Sequence, residues 1–160
     1  MAGERRRIYW DACVFLHFLE GTPDKITTLR SLLQDSANKN GIEIITSQIS
    51  VVEVAHVAQE KVGRALDPEV EEKLNDLWTG GEAVELVDLH YLISAEARTL
   101  IRNWIPGGKG LRPPDAIHIA TARHMKADEF HTYDIGLLSK SSDFGLRICE
   151  PYTCAPRLFE

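Results

Sequence analysis

Leu111-Arg112-Pro113-Pro114-Asp115-Ala116-Ile117-His118-Ile119-Ala120-Thr121-Ala122 is the stretch whose reading decides the fold. Proline lacks a backbone N–H and has its φ angle preset, so the Pro113-Pro114 pair suits the first turn of a helix. Asp115 then falls in that turn, where unpaired backbone N–H groups favour negative charge. Ile117, Ala120 and Ala122, with Ile119 alongside, make a small apolar helix that can pack closely on a sheet. The segment presents one carboxylate at the mouth of a core. Asp11, Glu53 and Asp134 stand in comparable settings.

Toward the amino end, Ile8-Tyr9-Trp10 reads as a short buried strand, rich in aromatic and β-branched residues. Asp11 follows at once, and Ala12 to Glu20 reads as a helix stopped by Gly21. An acid in the turn between a strand and a helix is either a helix N-cap or part of a ligand site, because open α/β sheets bind ligands at the carboxyl ends of their strands. The bulky apolar flanks of Asp11 favour the second reading. A helix is expected from Thr22-Pro23-Asp24 to about Asn38, with Ile26, Leu29, Leu32 and Leu33 at helical spacing, and a strand over Ile42 to Thr46. The run Ser47 to Lys61 reads as one helix, capped by Ser47 and buried on most sides because Val51, Val52, Val54 and Ala55 surround Glu53. A carboxylate stripped of water there needs a cation or hydrogen bonds. His56, three residues on, reads equally as a ligand or as a neutral core histidine.

A helix over Pro68 to Trp78 follows, with Val70, Leu74, Leu77 and Trp78 on one face, then a strand over Ala83 to Leu89. The next helix, His90 to Trp104, carries Leu92, Ala95, Ala97, Leu100, Ile101 and Trp104. Gly107-Gly108-Lys109-Gly110 lacks the Gly-Lys-Ser/Thr ending of a phosphate-binding P-loop and reads as a flexible loop, with Lys109 and Arg112 positioned to meet phosphates. Beyond the Asp115 helix, Glu129 to Thr132 reads as a strand, Tyr133-Asp134 as the turn at its carboxyl end, and Ile135 to Leu138 as a helical turn. Ser139 to Gly145 reads as a polar link and Leu146 to Cys149 as a last strand. Arg5-Arg6-Arg7 is a flexible basic arm or a solvated end.

The 160 residues point to a single domain over 1–160, with an arm over 1–6 and a tail over 151–160. No apolar run reaches a membrane span, and no signal-peptide pattern opens the chain, so the cytoplasm is the expected location. Three cysteines, Cys13, Cys149 and Cys154, argue against a disulfide framework and read as small buried or neutral surface residues. The net charge of −6 counts against nucleic-acid binding, unless the acids hold metal: two dications would offset four of those charges.

Alternating strands and helices imply an α/β fold of three layers, α/β/α, around a central parallel sheet. Such a sheet gathers its strand ends on one edge and with them Asp11 and Asp134; Asp115 opens a helix there and Glu53 points in. Two carboxylates ~4 Å apart repel by about 4 kcal/mol at an effective dielectric near 20. Oxygen-only ligation suits Mg²⁺ or Mn²⁺, and metal-assisted phosphodiester hydrolysis is the expected chemistry.

In order and spacing, Ile8-Tyr9-Trp10-Asp11, Ser47 to Glu53, Pro114-Asp115-Ala116-Ile117-His118-Ile119-Ala120-Thr121-Ala122 and Thr132-Tyr133-Asp134 together resemble PIN domains, in particular the VapC-like toxin ribonucleases of toxin–antitoxin pairs. The resemblance covers nearly the whole chain. It implies Asp11, Glu53, Asp115 and Asp134 as metal-binding catalytic acids and Thr132, in a Thr-x-Asp pattern, as a site residue that orients water or a ligand. It also implies an RNA substrate, a cognate antitoxin and a homodimer. Tyr133 departs from the family, where Asn is common. Two other readings compete. One is a PIN-type binding module without catalysis. The other is a phosphate-processing enzyme with Asp11 as nucleophile, for which Cys13 stands where a second Asp is usual.

Overall fold

The computed structural model describes residues 3–154, so the expected arm and tail lie partly outside the described residues. Five strands, β1 (Arg6–Trp10), β2 (Ile42–Ser47), β3 (Val84–Val87), β4 (Glu129–His131) and β5 (Ile148–Cys149), form one sheet in the order β3-β2-β1-β4-β5. Every pairing is parallel, with Ile8 opposite Ile44 on one side and Glu129 on the other. Helices α1 (Ala12–Glu20) and α2 (Ile26–Ala37) join β1 to β2; α3 (Ile49–Glu53), α4 (Ala58–Gly63) and α5 (Pro68–Thr79) join β2 to β3. Helices α6 (Tyr91–Trp104) and α7 (Pro113–His124) lead to β4, and α8 (Ile135–Leu138) and α9 (Ser141–Phe144) lead to β5.

A parallel sheet is covered on both faces, which is why Ile8, Tyr9 and Trp10 are all fully buried despite pointing alternately up and down. Ile8 and Trp10 face Phe15, Leu29, Leu32 and Leu74 from α1, α2 and α5. Tyr9 faces the other way, with Ile45 and Phe130, toward Ile93 and Ala97 of α6 and Ala116 and Ile119 of α7. The first crossovers run over one face, and the α6–α7 crossover runs over the other. Right-handed connections require that change of face when the chain reverses its direction across the sheet. The reversal leaves a crevice at the carboxyl ends of β1 and β4, the place where open α/β sheets bind ligands.

The helix expected over Ser47 to Lys61 is broken into α3 and α4. Val54 and Val57 are drawn into the core, and Glu60 caps the new helix start by accepting from the Val57 N–H at 3.1 Å. Ser47 closes β2, yet its hydroxyl still accepts from the Ile49 N–H that opens α3 at 3.3 Å, and Val52 is 77% exposed, so the apolar run is not buried on most sides. In α6 Ala97 and Leu100 are buried as expected, together with Ile93, while Leu92 is exposed. The polar link over 139–145 contains α9. The basic stretch is not all arm, because Arg6 and Arg7 belong to β1 and pair with Ile42 and Glu43.

Arg6 has a second role at the amino-terminal end of the sheet. The buried Glu129 carboxylate accepts from Tyr152 Oη at 2.6 Å, Arg147 Nη1 at 3.0 Å and Arg6 Nη1 at 3.5 Å, and its other oxygen from His131 Nε2 at 2.8 Å. The Tyr152 ring lies within 5.4 Å of Arg6 and 5.6 Å of Arg147, so the segment after β5 is pinned to the sheet. Cys149 Sγ completes a Glu-His-Cys group whose ligand atoms lie within 4.8 Å of one another. A dication there would face both guanidiniums, so the group is read as an ion-pair network.

Burial alone would raise the Glu129 pKa; the hydrogen bonds from Tyr152 and His131 and the charge of Arg6 outweigh it and hold the group below its ordinary value. Burial lowers the His131 pKa against the opposing pull of Glu129. Both groups bind protons more readily in the unfolded chain, so both contributions are complete above the unfolded pKa values and are lost as pH falls through the folded ones. Stability should therefore decline from about pH 6.5 downward and again below about pH 4.3. Glu129→Gln should cost about 2 kcal/mol at pH 7, below the usual figure for a buried pair because the arginines are partly solvated, and the deficit should shrink in acid. Denaturant melts of both proteins across pH 3 to 8 check this.

Candidate functional site

Asp11 follows β1 directly and occupies the N-cap position of α1, yet its side chain makes no capping hydrogen bond. Its carboxylate accepts from Cys13 Sγ at 2.8 Å on one oxygen and from Thr132 Oγ1 at 2.5 Å on the other. The residue is 6% exposed. Burial pushes its pKa above the ordinary value, against the opposing effect of these two hydrogen bonds. Burial and the neighbouring Asp11 charge push the Cys13 thiol up to about 12, so it stays a neutral donor.

Thr132 follows β4 and is fully buried. Its hydroxyl donates to Asp11 and accepts from the Asp134 N–H at 3.0 Å, so it ties the two strand-end acids together. Asp134 caps α8, one oxygen accepting from the Gly136 N–H at 2.8 Å. Asp115 lies in the first turn of α7 behind Pro113 and Pro114, as the sequence predicts. Arg112 grips it with Nε–Oδ2 at 2.9 Å and Nη2–Oδ1 at 3.3 Å, and Nη2 stands 3.9 Å from Asp134.

Glu53 ends α3, and its partner is His118, whose Nε2 lies 2.7 Å from Glu53 Oε2. His118 Nδ1 lies 2.6 Å from Tyr9 Oη. Tyr9 Oη itself accepts from the Ser47 N–H at 3.0 Å, so we assign its proton to the bond with Nδ1 and the histidine proton to Nε2. Glu53 keeps 27% of its side-chain exposure, less enclosed than the apolar run around it predicts.

Asp11, Glu53, Asp115 and Asp134 line one cleft of about 230 Å³, together with Cys13, His118 and Arg112. Thr132 stands behind it. The acids that line it offer carboxylate oxygens, a donor type suited to a hard divalent cation. The guanidinium drawn onto Asp115 and Asp134 marks a place short of positive charge. Lys109 is not among the lining residues; its Nζ lies 3.9 Å from Asp143 and over the Trp104 ring. His56 is exposed in the link between α3 and α4 and lines a different cleft. A larger cleft of about 680 Å³ lies at the opposite end of the strands, where Arg6 and Arg7 meet Glu129 and Glu43. Its charges largely offset one another, and no acid of the strand carboxyl ends reaches it.

Three residues of the site escaped sequence reasoning: His118, Tyr9 and Cys13. The available signals were positional. His118 sits three residues after Asp115 on the same helix, and Cys13 and Tyr9 each stand two residues from Asp11.

Residues 8–141 match the family described as PIN domain. No match was found among curated proteins. Similar solved structures include VapBC2 from Rickettsia felis bound to a promoter DNA fragment (16% identity, 90% of this chain and 98% of that one, TM-score 0.64). They also include FitAcB from Neisseria gonorrhoeae (16%, 92% and 99%, 0.60) and a toxin–antitoxin complex from Klebsiella pneumoniae (15%, 92% and 99%, 0.57). At these identities the likeness establishes the fold.

The burial of the Asp11 carboxylate has a stability cost. Asp11→Asn removes a buried charge and can turn its NH₂ toward Cys13 Sγ, which already accepts from the Tyr133 N–H, while its oxygen keeps Thr132. Without added metal, Asp11→Asn should be more stable than wild type by about 1 kcal/mol, a melting temperature some 2–4 °C higher. Calorimetry in the presence of a chelator checks this.

Proposed function

From the premise that the chain belongs to the PIN domain family, we propose that it is a metal-dependent endoribonuclease, the toxin of a toxin–antitoxin pair. The observation that carries the reading is the convergence of Asp11, Glu53, Asp115 and Asp134 on one cleft at the sheet's switch point. These four acids would hold Mg²⁺ or Mn²⁺. When bound, such an ion lowers the pKa of water and offsets charge on the phosphate.

The chain's own residues supply the rest. Thr132 holds Asp11 and Asp134 in register through one hydroxyl. Asp134 is further fixed by its cap on α8. Arg112 is 75% exposed, so its pairing with Asp115 is weak enough to release. Once freed, the guanidinium is positioned to take a substrate phosphate. The likeness to a toxin–antitoxin complex supports an antitoxin partner for this chain; a homodimer is part of the same proposal. Among the described residues no helix is long and apolar enough to cross a membrane.

Mn²⁺ should raise the melting temperature of wild type by mass action, and much less that of Asp115→Asn. The same variant should keep its fold and lose RNA cleavage by at least about a hundredfold, since a ligand of the ion is gone. RNA binding indifferent to chelator and to Asp115→Asn, with no cleavage by wild type, would instead identify a binding module. Arg112→Gln should bind Mn²⁺ more tightly, because a competing cation has been removed, and should raise the KM for RNA severalfold. Isothermal titration and steady-state cleavage measure the two effects.

A further inference from the structure

Glu53 is the one acid of the cleft that sits at the far end of a short helix. Asp11 and Asp134 follow strands, and Asp115 lies in the first turn of a helix of 12 residues. Glu53 instead ends a helix of only five residues, beside the exposed Val51 and Val52, and the chain leaves the helical path at Val54. A long side chain in that setting loses rotamer freedom only if something grips its end.

The grip comes from the core. His118 is 2% exposed and Tyr9 fully buried, although both carry polar atoms. The Tyr9 ring stacks on Phe130 at 5.0 Å and meets the His118 ring edge-on at 5.7 Å. The Ser47 N–H, Tyr9 Oη, the His118 ring and Glu53 Oε2 form one chain of hydrogen bonds at 3.0, 2.6 and 2.7 Å. It runs from the centre of the sheet to the cleft. With one Glu53 oxygen taken by His118, the other is left for an ion.

We propose that His118 is the positioning residue for Glu53, oriented in turn by Tyr9, and that this buried relay sets the separation between Glu53 and Asp115. His118 and Asp115 lie about one turn apart on α7, so the same helix that carries one acid sets the place of another. Partners of this kind, one bond removed from the ligands, govern ligand orientation in metal sites. The inference rests on the metal-dependent reading above and adds to it a residue that acts on the ion through Glu53.

The test is the Mn²⁺ dissociation constant, read from the paramagnetic resonance signal of the free ion, with kcat and KM for RNA beside it. His118→Leu should weaken Mn²⁺ binding by about tenfold or more, and should lower kcat with little change in KM. His118→Gln, whose side-chain amide can replace the Nε2–H donor, should recover most of both losses. Tyr9→Phe, which removes the hydroxyl that orients the ring, should lose part of the affinity, and it keeps the question open to test if His118→Leu does not fold. Wild-type Mn²⁺ affinity in a folded His118→Leu, equal weakening in the Leu and Gln variants, or unchanged affinity in Tyr9→Phe would each overturn the relay. Wild type that binds no Mn²⁺ would instead overturn the metal-dependent reading on which the relay rests.

Discussion

Keeping carboxylates out of water at the carboxyl ends of β1 and β4, with Asp11 buried outright, is the constraint that the rest of this structure manages. The reversal of chain direction at β1 places Asp11 and Asp134 on one rim, and α3 and α7 bring Glu53 and Asp115 to meet them. A carboxylate taken out of water favours the unfolded chain unless hydrogen bonds compensate, so each acid is restrained by contacts made elsewhere. Thr132 and Cys13 restrain Asp11. The Gly136 N–H of α8 restrains Asp134. His118 restrains Glu53, and Arg112 covers Asp115 from the solvent side. The core on both faces of β1 supplies the stability against which this local cost is set.

Much of this was legible in the residues. The Pro-Pro-Asp start of α7 and the aromatic strand ending in Asp11 carry local signals strong enough to place two acids without tertiary information. The alternation of strands and helices is enough for the parallel sheet, because each strand's apolar run must be covered twice. The basic residues near the start were harder: Arg6 and Arg7 look solvated in sequence, but backbone pairing to Ile42 and Glu43 makes them strand. A charge run records composition and says nothing of its partners. Glu129, the buried partner of Arg6, lies 123 positions away.

The segment from Ser47 to Lys61 shows where pattern reading stops. Val51, Val52, Val54 and Val57 look alike in sequence, but the first two are exposed and the last two are core. Neither Gly nor Pro marks the break between α3 and α4. It is made by the pull of two valines and by the Glu60 cap, both of which depend on tertiary placement. His118 is the converse case. Amid small apolar neighbours it resembles a neutral core residue, and it is indeed buried, but both of its ring nitrogens are occupied by partners from other elements. Burial and a role at the site are not alternatives for such a residue.

The central place of β1 also bears on how the protein comes into being. It is the first strand made, but its second neighbour, β4, is separated from it by most of the chain. Asp11 is held by Thr132, which is 121 residues further along. On the ribosome, the opening segment must wait for that distant strand before the cleft can close around its acids. A nascent chain that has exposed Asp11, Glu53 and even Asp115 still has no assembled site. Synthesis order thus delays assembly of the acidic cleft until the chain has been made as far as β4 and Thr132.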